Sequence, residues 1–278
     1  MAVIDFRIRP PFKGFLDMVM YANPERRNRF TAQLGFEPAP SATEKSMDLL
    51  MDEIKAAGVD RALVVGRNSG PLGSVSNEDV AEVVALYPQT FIGAASIDPT
   101  NRKGAMQQIR DAMDRGFKAV NIEPGSYPAP LYPDDRTLYP IYALCEDENF
   151  PVIMMAGGNA GPDISYTLPV GIDRVLADFP DMKLAVSHGG WPWVHQILHI
   201  AFRRPNLYIS PDMYLPNMPG MDDYLKAADG FLADRFIYGS SYPFMPVTDC
   251  LEWFRKLPIH EEAQQKILYD NAAGFLGL

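Results

Sequence analysis

The side chains able to do chemistry in this chain lie just beyond short apolar runs. The opening stretch VIDFRIRPP carries Arg7 and Arg9, and VVGRNSG supplies Arg67 and Asn68. Later runs lead into Ser96 and Asp98, Asn121 and Glu123, Asn159 shortly after MMAGG, and His188. Asp212 follows LYIS, and Ser241 and Tyr242 follow FIYG. Three of these residues are arginines, whose planar fork grips a carboxylate through two parallel hydrogen bonds. His188 is the member whose ordinary pKa lies near neutrality, so it is the expected acid or base. Asp212 and Glu123 are expected to orient it or to activate a water, with the arginines offsetting developing negative charge. Arg7, Arg9, Arg67, Asn121, Asn159, Ser241 and Tyr242 are the expected substrate contacts. YGSSYP is not the strained turn that activates a serine nucleophile.

Residues spread over the whole chain can meet only where a fold gathers its strand ends. From about residue 48 one phrase repeats: an amphipathic helix, a Gly, Pro or Asn turn, then a short apolar strand. It predicts helices at 47–57 and 77–86, and strands at 61–66, 91–97, 118–123, 151–155, 183–188, 206–210 and 235–239. With the opening strand there are eight, and strands alternating with helices pair in parallel. The expected fold is an α/β (β/α)8 TIM barrel formed as one domain over 1–278, a length close to the ~250 residues usual for that fold. A doubly wound sheet is the alternative, but RPPFKGF is not its Gly-rich phosphate loop. Two helices at about 247–256 and 260–270 should follow the last strand.

The long connections are residues 10–45, EPGSYPAPLYPDDRTLYP and SPDMYLPNMPG. All follow strands, the side of a barrel where active sites are built. Tyr127, Tyr132, Trp191 and Tyr214 are expected to wall the cleft there. Alternation along the first strand predicts that Ile4, Phe6 and Ile8 face the helices while Asp5, Arg7 and Arg9 point inward. A buried guanidinium needs a counter-ion. Asp5 should neutralise one arginine, leaving the other for a ligand carboxylate.

A net charge of −10 speaks against nucleic acid and against a polybasic membrane contact. The expected partner is a small anionic organic substrate, with association between copies left open. Cys145 and Cys250 lack metal-ligand spacing, and neither an apolar signal core nor a spanning run of ~18 residues is present, so free thiols and a cytoplasmic location are expected. His195 and His199 stand four residues apart without the Glu of a His-Glu-x-x-His motif, and His260 reads as a solvated residue opening a terminal helix.

VIDFRIRPP, KLAVSHGGWPW, RPNLYISPDMY, DRFIYGSSYPF and KILYDNAAGFLGL, in that order over nearly the whole chain, resemble the amidohydrolase superfamily. Within it they are similar to the amidohydrolase-2 group of decarboxylases, hydratases and lactonases. The resemblance implies a zinc-type site built from a His-x-His pair, a fifth-strand His, a sixth-strand His and an eighth-strand Asp. Here those positions hold Arg7 and Arg9, Met155, His188 and Ser241. Two guanidinium cations would repel a divalent ion, so a site without a metal or other cofactor is expected. The implied activity is a metal-independent hydrolase of a lactone or other activated acyl bond, or a related lyase, acting on a carboxylated, cyclic or unsaturated molecule. Two alternatives stay open: a metal hydrolase using His188, Asp212 and Glu123, and a barrel that binds without turnover.

Overall fold

The computed structural model describes residues 2–278. Seven strands, β1 (Ile4–Ile8), β2 (Arg61–Val65), β3 (Phe91–Ser96), β4 (Ala119–Ile122), β5 (Val152–Met155), β6 (Leu184–Ser187) and β7 (Leu207–Ser210), pair in parallel in sequence order. Helices cross between them, and the segment after Arg235 closes the ring. Ile237 N donates to Ile209 O (2.9 Å) on one side, and Phe6 N to Tyr238 O (3.1 Å) on the other. The fold is the expected (β/α)8 TIM barrel.

The eighth segment, expected as a strand at 235–239, forms no ladder: Phe236 bridges to Ile209 and, beyond the segment, Tyr242 bridges to Ile8. Two of its donors are diverted. Tyr238 N donates to Ile267 O (3.2 Å), and Ser240 N donates to Asp5 Oδ1 (2.9 Å). A strand whose N–H groups serve a helix carbonyl and a carboxylate cannot complete a ladder. The helices at Met47–Ala57 and Asn77–Leu86 match the predicted bounds. Ser46 and Ser76 accept the Leu49 and Asp79 N–H groups at their N-termini, as N-caps do. The helix expected at 260–270 runs as Glu261–Gln265, a π turn at Lys266–Asp270, and Asn271–Leu276. Among the described residues no helix is long and apolar enough to cross a membrane.

The interior of the barrel corrects the reading of the first strand. Ile4 and Phe6 pack with Leu63, Val65, Ile92, Ala119, Ile153, Ala185 and Ile237, a cluster drawn from strands around the ring. Phe275 of the last helix plugs its base, edge-on to Phe6 with ring centroids 5.5 Å apart. Ile8 belongs instead to the layer between strands and helices. The register explains the switch: Asp5 pairs with Ala62 but Ile8 with Val64, so three steps on β1 match two on β2. This bulge lets Phe6 and Arg7 both turn inward, which strict alternation forbids.

Asp5 is not the counter-ion it was expected to be. Its Oδ1 accepts from the Arg7 and Ser240 N–H groups, while Oδ2 is buried without a partner. Burial raises its pKa to about 6, against the lowering hydrogen bonds from Ser240. An acid whose pKa is higher folded than unfolded loses stability as pH rises from about 4 through 6. Asp5→Asn should therefore be more stable than the wild type above pH 6, by on the order of 2–3 kcal/mol. Denaturant titrations at pH 5 and pH 8 check this; a difference independent of pH would refute it.

Residues 10–45 are an insert of short helices rather than a loose loop, with Val19–Ala22, Pro24–Gln33 and Pro40–Glu44 its α-helical parts. It is fastened over the strand ends by Tyr21 Oη donating to Arg9 O (2.8 Å) and Thr31 Oγ1 donating to Phe244 O (2.7 Å).

Candidate active site

Glu123, just past β4, is the hub of the charged floor. Its Oε1 accepts from Arg9 Nη2 (2.8 Å) and Arg7 Nη2 (3.4 Å), and its Oε2 lies 2.7 Å from Arg67 Nε. Burial alone would raise this carboxyl, but Arg67, Arg9 and Arg7 outweigh it and hold the pKa at about 2. Glu123 is thus a fixed anion near neutrality and cannot serve as a proton donor there. Burial lowers the Arg9 pKa well below its ordinary value, and the Arg67 and Arg7 charges push the same way. Three guanidinium groups share Glu123 and the nearby Asp212, so positive charge is in excess. Arg9 Nε and Arg67 Nη1 are buried without any hydrogen-bond partner among the described residues.

The geometry separates the two arginines of β1 and its exit. Arg7 is wholly buried beneath the floor, donating to Ser187 Oγ (3.1 Å) and Glu123 and lying 4.0 Å from Asp212. Arg9 reaches the cleft, which Arg67, His188, Asn159 and Ser241 also line. Two other expected contacts do not reach it. Asn121 donates to Gly66 O (2.9 Å) and Glu123 (3.2 Å), bracing the hub. Tyr242 points its hydroxyl at Ser41 Oγ (2.8 Å), joining barrel and insert.

His188 lies directly after β6, and Asp212 shortly after β7. The imidazole Nδ1 is 2.8 and 3.0 Å from the two Asp212 oxygens, and the His188 N–H donates to the same carboxylate (3.2 Å). Burial lowers the His188 pKa against the pull of Asp212, and Arg7 and Arg9 add to the lowering. The neutral ring with its proton on Nδ1 is then favoured, leaving the Nε2 lone pair with no protein partner among the described residues. His188, Asp212 and Ser241 have φ of 65°, 45° and 53°, a region costly to side-chain-bearing residues. Three successive strand exits thus hold strained backbone at one mouth.

The aromatic wall differs from expectation. Tyr214 lines the cleft, edge-on to His188 (5.1 Å) and stacked on Trp191 (5.3 Å). Gly158, at φ 62°, is needed where it is because any Cβ there would strike the Tyr214 ring. Tyr127 is buried to one side, and Tyr132 stacks outward on Tyr166. Phe30 of the insert and Phe244 complete the wall in their place, 5.5 Å apart. Arg26 and Arg27 also line the cleft and were not anticipated. Their signal was present: PERRNRF is a basic run in an acidic chain, inside an insert that follows a strand. The His195–His199 pair is exposed on the Val194–Arg203 helix, with His195 bonded to Asp223 (3.1 Å). Cys145 and Cys250 are free and buried.

The amidohydrolase family profile matches residues 4–278. The chain belongs to the amidohydrolase family. Over its full length this amidohydrolase is similar to an uncharacterised TIM-barrel protein of Bordetella bronchiseptica, with 56% identity, a TM-score of 0.97 and 99% of that chain covered. It is 25% identical to the 2-amino-3-carboxymuconate-6-semialdehyde decarboxylase of Dictyostelium discoideum, over 74% of this chain and 67% of that protein. It is 24% identical to the 2-keto-4-carboxy-3-hexenedioate hydratase of a Sphingobium strain, over 55% of this chain and 57% of the hydratase, so it spans only a little over half that relative's length.

The expectation that no cofactor belongs to such a site is overturned. The 5-carboxyvanillate decarboxylase of Novosphingobium aromaticivorans shares the fold (TM-score 0.69, 16% identity, all of this chain and 97% of that one) and was solved with bound manganese. A dihydroxybenzoic acid decarboxylase of Polaromonas on this fold also holds manganese. The donors here do not fit such an ion as they stand. Among the described residues no three His, Cys, Asp or Glu side chains gather as a ligand set. Glu123 spends both oxygens on guanidinium groups, and His188 and Asp212 spend theirs on each other.

Proposed function

We propose that this amidohydrolase adds water to a small carboxylated molecule, cyclic or unsaturated, by hydrolysing a lactone or another activated acyl bond. The observation that carries the reading is the bare Nε2 of His188 beside the unpartnered donors of Arg9 and Arg67. The substrate carboxylate takes those donors. Nε2 removes a proton from water as hydroxide adds to the acyl carbon, while Asp212 holds the ring's tautomer and orientation and steadies the imidazolium. The arginine charge offsets the developing oxyanion. When the acyl C–O bond breaks, the departing oxygen recovers the proton from His188. Tyr214, Phe30 and Phe244 give the ring or double bonds of the substrate an apolar seat.

Decarboxylation is the second reading, favoured by the decarboxylase among the relatives. It requires a proton delivered to carbon, for which a histidine kept neutral by burial is poorly suited. Incubation with a panel of lactones and unsaturated acids separates the two: ring opening without loss of carbon supports hydrolysis, and release of carbon dioxide rejects it. The floor is tested by Arg67→Met, which should weaken carboxylate binding by roughly 1.5–3 kcal/mol, about ten- to hundredfold. Arg67→Lys should recover only part, because a point charge lacks the planar fork. Unchanged affinity in both variants would remove Arg67 from the site.

A further inference from the structure

Arg27 sits on the Pro24–Gln33 helix of the insert, is 1% exposed, and lines the cleft opposite the charged floor. Its Nε donates to Asn28 Oδ1 (3.0 Å), and its Nη1 to Ala42 O (2.9 Å) and Met20 O (3.4 Å). Nη2 has no hydrogen-bond partner among the described residues, and no carboxylate among them pairs with this buried charge. Arg26 beside it also lines the cleft, is exposed, and makes no ion pair among the described residues. Both occupy the first turn of a helix, whose partial positive charge disfavours cations and favours an anion. Two arginines without counter-ions at that position, one of them desolvated, require negative charge from elsewhere.

We infer that Arg26 and Arg27 form a second anion subsite at the mouth, and that the substrate is a dicarboxylate spanning from Arg9 and Arg67 to the insert. This rests on the proposed reading of the floor as a carboxylate seat. One carboxylate binds beside His188 and the other closes the charge gap on the insert. Phe30 and Phe244 line the same cleft, 5.5 Å apart, and give the carbon skeleton an apolar cover. The insert thereby selects dianions over monoanions of the same ring.

The test is calorimetric titration of the full chain with benzoate and with the 1,2-, 1,3- and 1,4-benzenedicarboxylates. At least one dicarboxylate should bind about tenfold or more tighter than benzoate, the gain of one charge-assisted contact. Arg27→Gln should abolish most of that gain and Arg26→Ala part of it, with benzoate affinity retained in both. Arg27 also fastens the insert, so Arg26→Ala, which breaks no bond within the protein, keeps the test independent of folding. Benzoate binding that Arg67→Met weakens, with no gain for any dicarboxylate, overturns the second subsite alone. A gain that survives both substitutions also overturns it. Absence of any Arg67-dependent benzoate binding overturns the floor reading and the dianion together.

Discussion

Glu123→Gln should cost about 3–5 kcal/mol of stability, because it leaves three buried guanidinium groups without their shared anion. The expectation follows from a carboxylate that is 1% exposed and holds Arg7, Arg9 and Arg67 within 2.7–3.4 Å. The same pairing fixes the pH behaviour. A carboxyl held at about 2 when folded contributes stability that is complete above the unfolded pKa near 4.3. That contribution is lost as pH falls from about 4 through 2, and the variant should lack this acid-side loss. Added benzoate should stabilise Glu123→Gln more than the wild type by replacing the missing charge. Denaturant midpoints for the two proteins, with and without benzoate, measure all three effects. Equal midpoints would mean that the arginines are neutralised elsewhere.

His188→Asn should lower turnover about 10²- to 10⁴-fold, the range of a lost general base, while substrate still binds to the arginines. In the wild type kcat/KM should rise with pH as His188 loses its proton. That limb should lie below the ordinary imidazole value of about 6.5, because burial and the arginine charges disfavour the imidazolium. Asp212→Asn should also slow turnover, because a neutral amide cannot steady the imidazolium and its NH2, with the amide oxygen kept by the His188 N–H, faces Nδ1 and favours the wrong tautomer. Retention of the acid limb in His188→Asn would show that another group carries the proton.

The order of strands and helices was legible in the sequence because each repeat buries a local amphipathic pattern, and such patterns are written in neighbouring residues. So was the gathering of the candidate site residues at one end, since a parallel barrel places every strand exit at one mouth. The division of labour among the polar residues was not. Arg7 and Arg9 are two residues apart and identical in type, yet one is sealed under Glu123 and the other opens to the cleft. The one-residue bulge opposite β2, which alternation along a single strand cannot reveal, decided instead that Phe6 shares the barrel interior with Arg7. Glu123 was legible as an acid, but its role as counter-ion depends on three arginines from distant parts of the chain converging on it. Asp5, adjacent in sequence, lost that role because its carboxylate caps the N–H groups of Arg7 and Ser240. The cleft wall followed the same rule: Tyr127 and Tyr132 lie in a post-strand loop but turn away, while Phe30 arrives on an insert helix fastened to Phe244 O by Thr31. Local periodicity determines which elements form over most of the chain, the eighth strand, the helices of the insert and the end of the last helix excepted. Which side chains meet is decided by register and packing between segments far apart in the chain, and only the tertiary structure carries that information.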